Sequence, residues 1–242
     1  MITQKAGKQS IIFQNQPVIR CWSSVAGKKE SKGPLGSHFD ITSTDSYFGQ
    51  RTWELAEKRM QQLALQELLN KACMKSSEIG VVLSGDLLNQ CISSSFTLRN
   101  HKIPHLGLYG ACSTMAESLL LASILVSGGF TDNAIAMTSS HFASSERQYR
   151  FPLGYGGQRT PTSQWTVTGS GAALIQQEGS GPKIAACTIG TVVDYNITDA
   201  NNMGAAMAPA AADTIYSHLK ETGRDANYYD LIVTGDLGYI GG

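Results

Sequence analysis

Residues 81–87, Val81-Val82-Leu83-Ser84-Gly85-Asp86-Leu87, return 150 positions later as Leu231-Ile232-Val233-Thr234-Gly235-Asp236-Leu237, in the same order of bulky apolar, hydroxyl, Gly, Asp and Leu. A helix-like segment precedes each copy. Before the first, Trp53, Ala56, Met60, Leu63, Ala64 and Leu68 recur at steps of three and four, with Glu54, Glu57, Lys58 and Arg59 between them, predicting an amphipathic helix over 52–69. Before the second, Ala211, Ala212, Ile215 and Leu219 keep helical spacing over 205–219, with Pro209 near the start. A repeat of this length restricts the chain to a duplicated architecture. The second copy begins near residue 183, and the chain ends at Gly242 before any counterpart of Ser93 to Gln177. The expectation is a complete first half over 1–182 and an incomplete second half over 183–242.

The elements of the first half follow from short apolar runs. Ile79 to Leu83 is continuous, rich in β-branched residues and ends in Ser84-Gly85-Asp86, the pattern of a buried parallel strand. Leu106 to Tyr109 predicts a second strand. Thr114 to Ser127 is apolar on nearly every side with Glu117 as its one charge, predicting a buried helix, and Asn133 to Ser140 predicts the strand that completes a βαβ crossover. Gly171 to Gln176 and Ile184 to Val193, joined by a turn at 178–182, read as an antiparallel pair. Cys21 to Gln50, with its glycines, Pro34 and lysines, reads as loop. The fold class is α/β, with a mostly parallel sheet covered by helices.

Charge narrows the function. Lys+Arg and Asp+Glu number 19 each, so no counterion-release footprint for nucleic acid exists, and a charged fraction of 16% points to much surface hidden in a core or a partner. No apolar run is long enough for a membrane helix, and residues 1–20 lack a signal-peptide pattern, so the protein is expected to start in the cytoplasm. The five cysteines, Cys21, Cys73, Cys91, Cys112 and Cys187, include no Cys-x-x-Cys pair and suggest reduced thiols. His38, His101, His105 and His218 share no ligand spacing, and no metal site is expected; the glycines at 154–157 and 169–171 make no dinucleotide fingerprint.

Four places carry candidate chemistry. Cys112 stands in Gly110-Ala111-Cys112-Ser113, between a strand and the N-terminus of a buried helix, where the helix dipole favours a thiolate and free N–H groups suit an oxyanion; the alternative is a buried core thiol. His141 follows the third strand, at the carboxyl edge where open α/β sheets hold ligands. Arg147 and Arg150, with Tyr149, Phe151 and Tyr155 nearby, offer guanidinium forks and aromatic walls for a flat anion, or else a solvated turn paired through Glu146. Asp86 and Asp236 end equivalent strands and read first as turn caps, with Asp86 a candidate oxygen donor if calcium accompanies a ligand.

The duplicated half with a cysteine between strand and buried helix resembles the thiolase and ketoacyl-synthase superfamily. Within it, the chain resembles the stage V sporulation AD family of endospore-forming bacteria. The resemblance rests on Gly33-Pro34-Leu35-Gly36, Gly85-Asp86-Leu87-Leu88-Asn89-Gln90, Gly110-Ala111-Cys112-Ser113-Thr114, Ser139-Ser140-His141 with Glu146-Arg147-Gln148, Tyr155-Gly156-Gly157-Gln158, Thr168-Gly169-Ser170-Gly171-Ala172, and Met207-Ala208-Pro209 through Ile215. It implies a thiolase-like duplicated α/β/α fold with its second half incomplete. It also implies a non-enzymatic protein that binds dipicolinic acid (pyridine-2,6-dicarboxylate), alone or with calcium, during uptake into the spore and release at germination. Cys112, His141, Arg147, Arg150 and Asp86 are then the ligand-binding candidates, and no cofactor is needed. The implied partners are membrane subunits of a spore dipicolinate channel and a second copy of the chain, joined through the first half with Asn133 to Ser140 as central strand. The implied location is the forespore, peripherally at the spore inner membrane. The alternative within the superfamily is an acyltransferase or condensing enzyme using Cys112 as nucleophile on a coenzyme A or carrier-protein thioester. Its His or Asn partners would come from the second half.

Overall fold

The structure is a computed structural model that describes residues 4–149, 166–199 and 202–237, with the backbone alone at residue 4 and at 146–149. The chain divides into two units, one of residues 17–149 and 166–183, the other of 4–16, 184–199 and 202–237.

The larger unit is built on a six-stranded sheet. Its strands are β3 (Val18–Ala26), β4 (Ile41–Thr42), β5 (Val81–Gly85), β6 (His105–Gly107), β7 (Asn133–Ser140) and β8 (Gly169–Gln176), in spatial order β4-β3-β8-β7-β5-β6. Only β8 runs against its neighbours. Three helices, α1 (Trp53–Ala72), α2 (Ile92–Leu98) and α3 (Thr114–Ser127), fill the crossovers, and α4 (Phe142–Tyr149) follows β7. Helix α1 starts where Thr52, in extended backbone, accepts the Leu55 N–H, and stops where Cys73 turns left-handed at φ 53°. Its Met60, Ala64, Leu65 and Leu68 pack on Val25, Val82, Ile135, Met137 and Leu174. Helix α3 packs on β7, β5 and β8 through Thr114, Ser118, Ala122, Ser123 and Val126. The side chains it meets on β7 are also small: Ala134 and Ala136 are fully buried.

Five expectations change. Cys21 to Gln50 is not all loop: β3 runs to Ala26, and its Cys21, Ser23 and Val25 face α1, Ser23 donating to the Ala64 carbonyl at 2.7 Å. Cysteine and serine on the buried face masked the strand's alternation. Helix α3 is not buried all round, since Leu119, Leu120, Leu121, Ile124 and Leu125 are half-buried. The segments before and after the 178–182 turn do not pair with each other. β8 inserts between β3 and β7, and β9 (Ala186–Thr188) pairs with β2 (Ser10–Ile12) in a three-stranded sheet with β1 (Gln4–Lys5). That pairing puts residues 4–16 in the smaller unit rather than in the first half, and the backbone N–H groups of Lys8, Gln9 and Ser10 add to it by donating to the Glu221 carboxylate of α5 (Met203–Thr222). Finally, β7 is hydrogen-bonded to β5 on one side and β8 on the other, so it cannot pair with a second copy; the β5 side of the sheet ends instead at β6, where Leu106 is 49% exposed.

The repeat returns in the structure as a helix and a following 3-10 turn, α1 and Ser76–Glu78 in the first copy and Met203–Thr222 and Ala226–Tyr228 in the second, but its strand does not return. Val82 and Leu83 are fully buried in β5 between β6 and β7, whereas Leu231 and Val233 are 76% and 79% exposed, in a stretch without strand assignment.

Candidate functional site

The carboxyl ends of β6, β5 and β7 are adjacent in the sheet, so the residues after each gather at one rim. Asp86 follows β5 and is 2% exposed. Its carboxylate accepts the backbone N–H of Leu88 at 3.1 Å, the N–H of Ser94 at 2.8 Å and the Ser94 hydroxyl at 2.7 Å. It therefore ties the turn after β5 to the first turn of α2, the capping role that the residue type suggested. Burial pushes its carboxyl above the usual range, against the pull of those hydrogen bonds.

The Cys112 turn adjoins this point. At Gly85 a Cβ would run into the Leu108 carbonyl oxygen and lie 2.6 Å from Thr114 Cγ2, so glycine is required where β5 passes the start of α3. Cys112 is exposed within a short 3-10 turn, after Ala111 at φ 49°. The Thr114 hydroxyl donates to the Ala111 carbonyl, and the Ser113 hydroxyl to the Gly110 carbonyl. Among the described residues, no side chain hydrogen-bonds the thiol. Cys91 is buried and donates to the Leu108 carbonyl at 3.1 Å.

His141, directly after β7, is fully buried, and both ring nitrogens are engaged: Nε2 bonds the Ser46 carbonyl at 2.9 Å, and Nδ1 accepts the Ala143 N–H at 3.2 Å. An acceptor at Nδ1 fixes the proton on Nε2. Burial lowers its pKa and keeps the ring neutral. This arrangement leaves no nitrogen for a ligand; the side chain instead fixes the chain as it turns from β7 into α4. Around it lie Tyr47, Trp53 and Phe142, with Tyr47 stacked on Trp53 at 5.7 Å and His141 stacked on Phe142 at 4.9 Å. Arg147 sits on α4, its side chain outside the described residues, and Arg150 with Phe151 and Tyr155 lies wholly outside them.

Glu57 is the residue that sequence reasoning missed. Placed among the solvent-facing charges of α1, it is fully buried, as is Gln61 one turn on. Their spacing to Met60, Ala64 and Leu68 was the available signal, since 57, 60, 61, 64 and 68 share one helical face. Ser139 and Ser144 each donate to a different Glu57 oxygen, at 2.9 and 2.6 Å. Gln61 Nε2 donates to Ser139 Oγ at 2.9 Å and Ser94 Oγ at 3.1 Å, joining Glu57 to Asp86 through one buried network. Burial, with Asp86 and Glu54 adding like charge, pushes Glu57 up to about 7 against the two serine bonds.

The sequence profile of the family described as stage V sporulation protein AD matches residues 7–242. The chain belongs to that family. The protein called Stage V sporulation protein AD in Bacillus subtilis (strain 168) is 46% identical over 235 residues, which are 97% of this chain and 70% of the relative. Among solved structures, an OleA variant from Xanthomonas campestris superposes with a TM-score of 0.63 at 13% identity, covering 95% of this chain and 79% of that one. A 3-oxoacyl-(acyl carrier protein) synthase III from Xanthomonas oryzae pv. oryzae gives 0.61 at 14% identity, covering 95% and 80%. At those identities the likeness shows the fold alone, and the fold is thiolase-like.

Proposed function

We propose that this sporulation-family protein binds pyridine-2,6-dicarboxylate without transforming it, in the uptake of the compound into spores and its release from them. The observation that carries the reading is the aromatic group of Tyr47, Trp53 and Phe142, packed around the buried His141 at the root of α4, the helix that bears Arg147. A flat dianion needs guanidinium forks for its carboxylates and an apolar wall for its ring. Arg147 and Arg150 are the proposed forks, with calcium as the counter-ion that travels with the ligand. Asp86 contributes by fixing the turn beneath the site rather than by touching the ligand, because its oxygens are already taken. No helix among the described residues is long and apolar enough to cross a membrane. Membrane subunits of a dipicolinate channel are the proposed partners, with the protein held peripherally at the spore inner membrane. The proposed homodimer pairs β6 edges, where the outer side of the strand, open among the described residues and bearing exposed Leu106, is the natural template.

Calorimetric titration with pyridine-2,6-dicarboxylate, with and without calcium, beside Arg147→Ala, tests the reading. Saturable binding weakened by the substitution supports it, and a folded protein that gives no heat rejects it.

The exposed Cys112 before α3 favours one other reading, an acyl transfer with this thiol as nucleophile. Incubation with an acyl-coenzyme A followed by intact mass separates the two: an added acyl mass that Cys112→Ser abolishes establishes the enzyme.

A further inference from the structure

A buried carboxylate is costly unless it is matched. The charges that act on Glu57 are those of Asp86 and Glu54, both of its own sign. What matches it is hydroxyl groups, one at the end of β7 and one in the first turn of α4.

Those two hydroxyls are not equivalent. Ser139 Oγ receives the Gln61 amide N–H, so its own proton points to Glu57. Ser144 Oγ has a choice, lying 2.6 Å from Glu57 Oε2 and 3.3 Å from the His141 carbonyl oxygen. With Glu57 ionised, Ser144 donates to the carboxylate, a charge-assisted bond from α1 to α4. When the carboxylate takes up a proton, its new O–H donates to Ser144 Oγ, and the Ser144 hydroxyl turns to the His141 carbonyl. One proton enters, one hydrogen bond reverses, and no group is stranded. The second arrangement is weaker, because that carbonyl already accepts the Ser145 N–H at 3.0 Å and the Ser145 hydroxyl at 2.7 Å.

We propose that Glu57 is the positioning residue of α4, holding the helix that carries Arg147 at the carboxyl end of β7 through Ser144, and that proton uptake by this carboxylate loosens that hold. The effect on ligand binding rests on the reading that α4 meets the ligand; the seating of α4 does not. The titratable groups around Glu57 are Glu54 on α1, Asp86 after β5 and His141 after β7. Strands β7 and β8 and helix α2 carry no charged residue, and α4 carries Glu146 and Arg147. His141 is held neutral and below its ordinary range by burial, and Asp86 is locked by three hydrogen bonds.

Trp53 lies 6.5 Å from the His141 ring and 6.3 Å from the Phe142 ring, which makes it a reporter of the α4 root that needs no ligand. In a Trp22→Phe, Trp165→Phe background, Trp53 emission is followed from about pH 5.5 to about pH 8.5, and pyridine-2,6-dicarboxylate is titrated at both ends. The ligand's carboxyl groups stay ionised over this range. The background protein should show an emission transition near neutrality and binding about fivefold weaker at the acid end. Glu57→Gln should lose both effects, and Ser144→Ala, which keeps the carboxylate but removes its link to α4, should lose the emission change. A transition that persists in Glu57→Gln, or none in the background protein, overturns the proposal. If the emission behaves as described and no ligand heat is seen at either pH, the positioning role stands and the dipicolinate reading falls.

Discussion

Replacing Glu57 with glutamine should change how stability depends on pH. The fold raises this carboxyl from 4.5 to about 7, so the folded protein holds the proton more tightly than the unfolded chain does. The stability tied to that proton is fully present below the unfolded value of 4.5 and is lost as pH rises through about 7. At about 1.4 kcal/mol for each pH unit between the two values, the whole effect is about 3 kcal/mol, and the part falling between about pH 5 and about pH 8 is about 2.5 kcal/mol. Glutamine keeps the shape and one acceptor but never ionises. Urea unfolding of both proteins at intervals across that range cancels every other titrating group from the difference. The variant should gain about 2.5 kcal/mol on the parent from the acid to the alkaline end, about seventyfold in the unfolding equilibrium. Parallel pH profiles, separated by a constant offset, would refute the reasoning, for they would mean that Glu57 is hydrated in the folded protein and that α4 does not close over it.

The repeated segments supply paired tests. Leu83→Ala should cost about 2 to 5 kcal/mol, whereas Leu231→Ala, at a position 76% exposed, should fall within about 0.5 kcal/mol of the parent, both measured by urea midpoint. Gly85→Ala should destabilise by more than about 3 kcal/mol because its Cβ meets a backbone carbonyl that cannot move cheaply, while Gly235→Ala, with nothing within 4 Å, should be silent in the same assay. In light scattering, Leu106→Arg should convert the proposed β6-paired dimer to monomer; a dimer that survives would remove β6 as the interface. A thiol reagent applied to the native protein should label Cys112 and Cys73, which are exposed, well before Cys187, whose thiol burial pushes up to about 11.

Residues 52–69, 114–127 and 133–140 were legible because each carries its own pattern: a helical stripe, an apolar block closed by Gly128-Gly129, and a short apolar run with a polar end. Strand β3 was not, because Cys21, Ser23 and Ser24 carry polar atoms on or beside the buried face, and Ser23 is satisfied by the Ala64 carbonyl of a helix 41 residues away. The same distance effect hid the roles at the rim. His141 was legible as a residue at a strand end, but both its nitrogens are occupied by backbone groups, one of them 95 positions away at Ser46. Glu57 looked like one surface charge among four until Ser139 and Ser144, 82 and 87 residues on, closed over it.

By itself the sequence determined the duplicated plan, the order of strands and helices through the crossover, and the motifs that match one sporulation family. These are properties of runs of adjacent residues, where backbone geometry repeats every two or 3.6 positions and leaves its period in the side chains. Tertiary structure alone decided that β8 lies between β3 and β7, that residues 4–16 belong with β9, and that only the first copy of the repeat is buried. It also decided that a glutamate on a helix face is sealed from water. Those outcomes depend on which hydrogen-bonding groups meet across the sheet and which surfaces find a neighbour, and contacts of that kind leave no period in the chain.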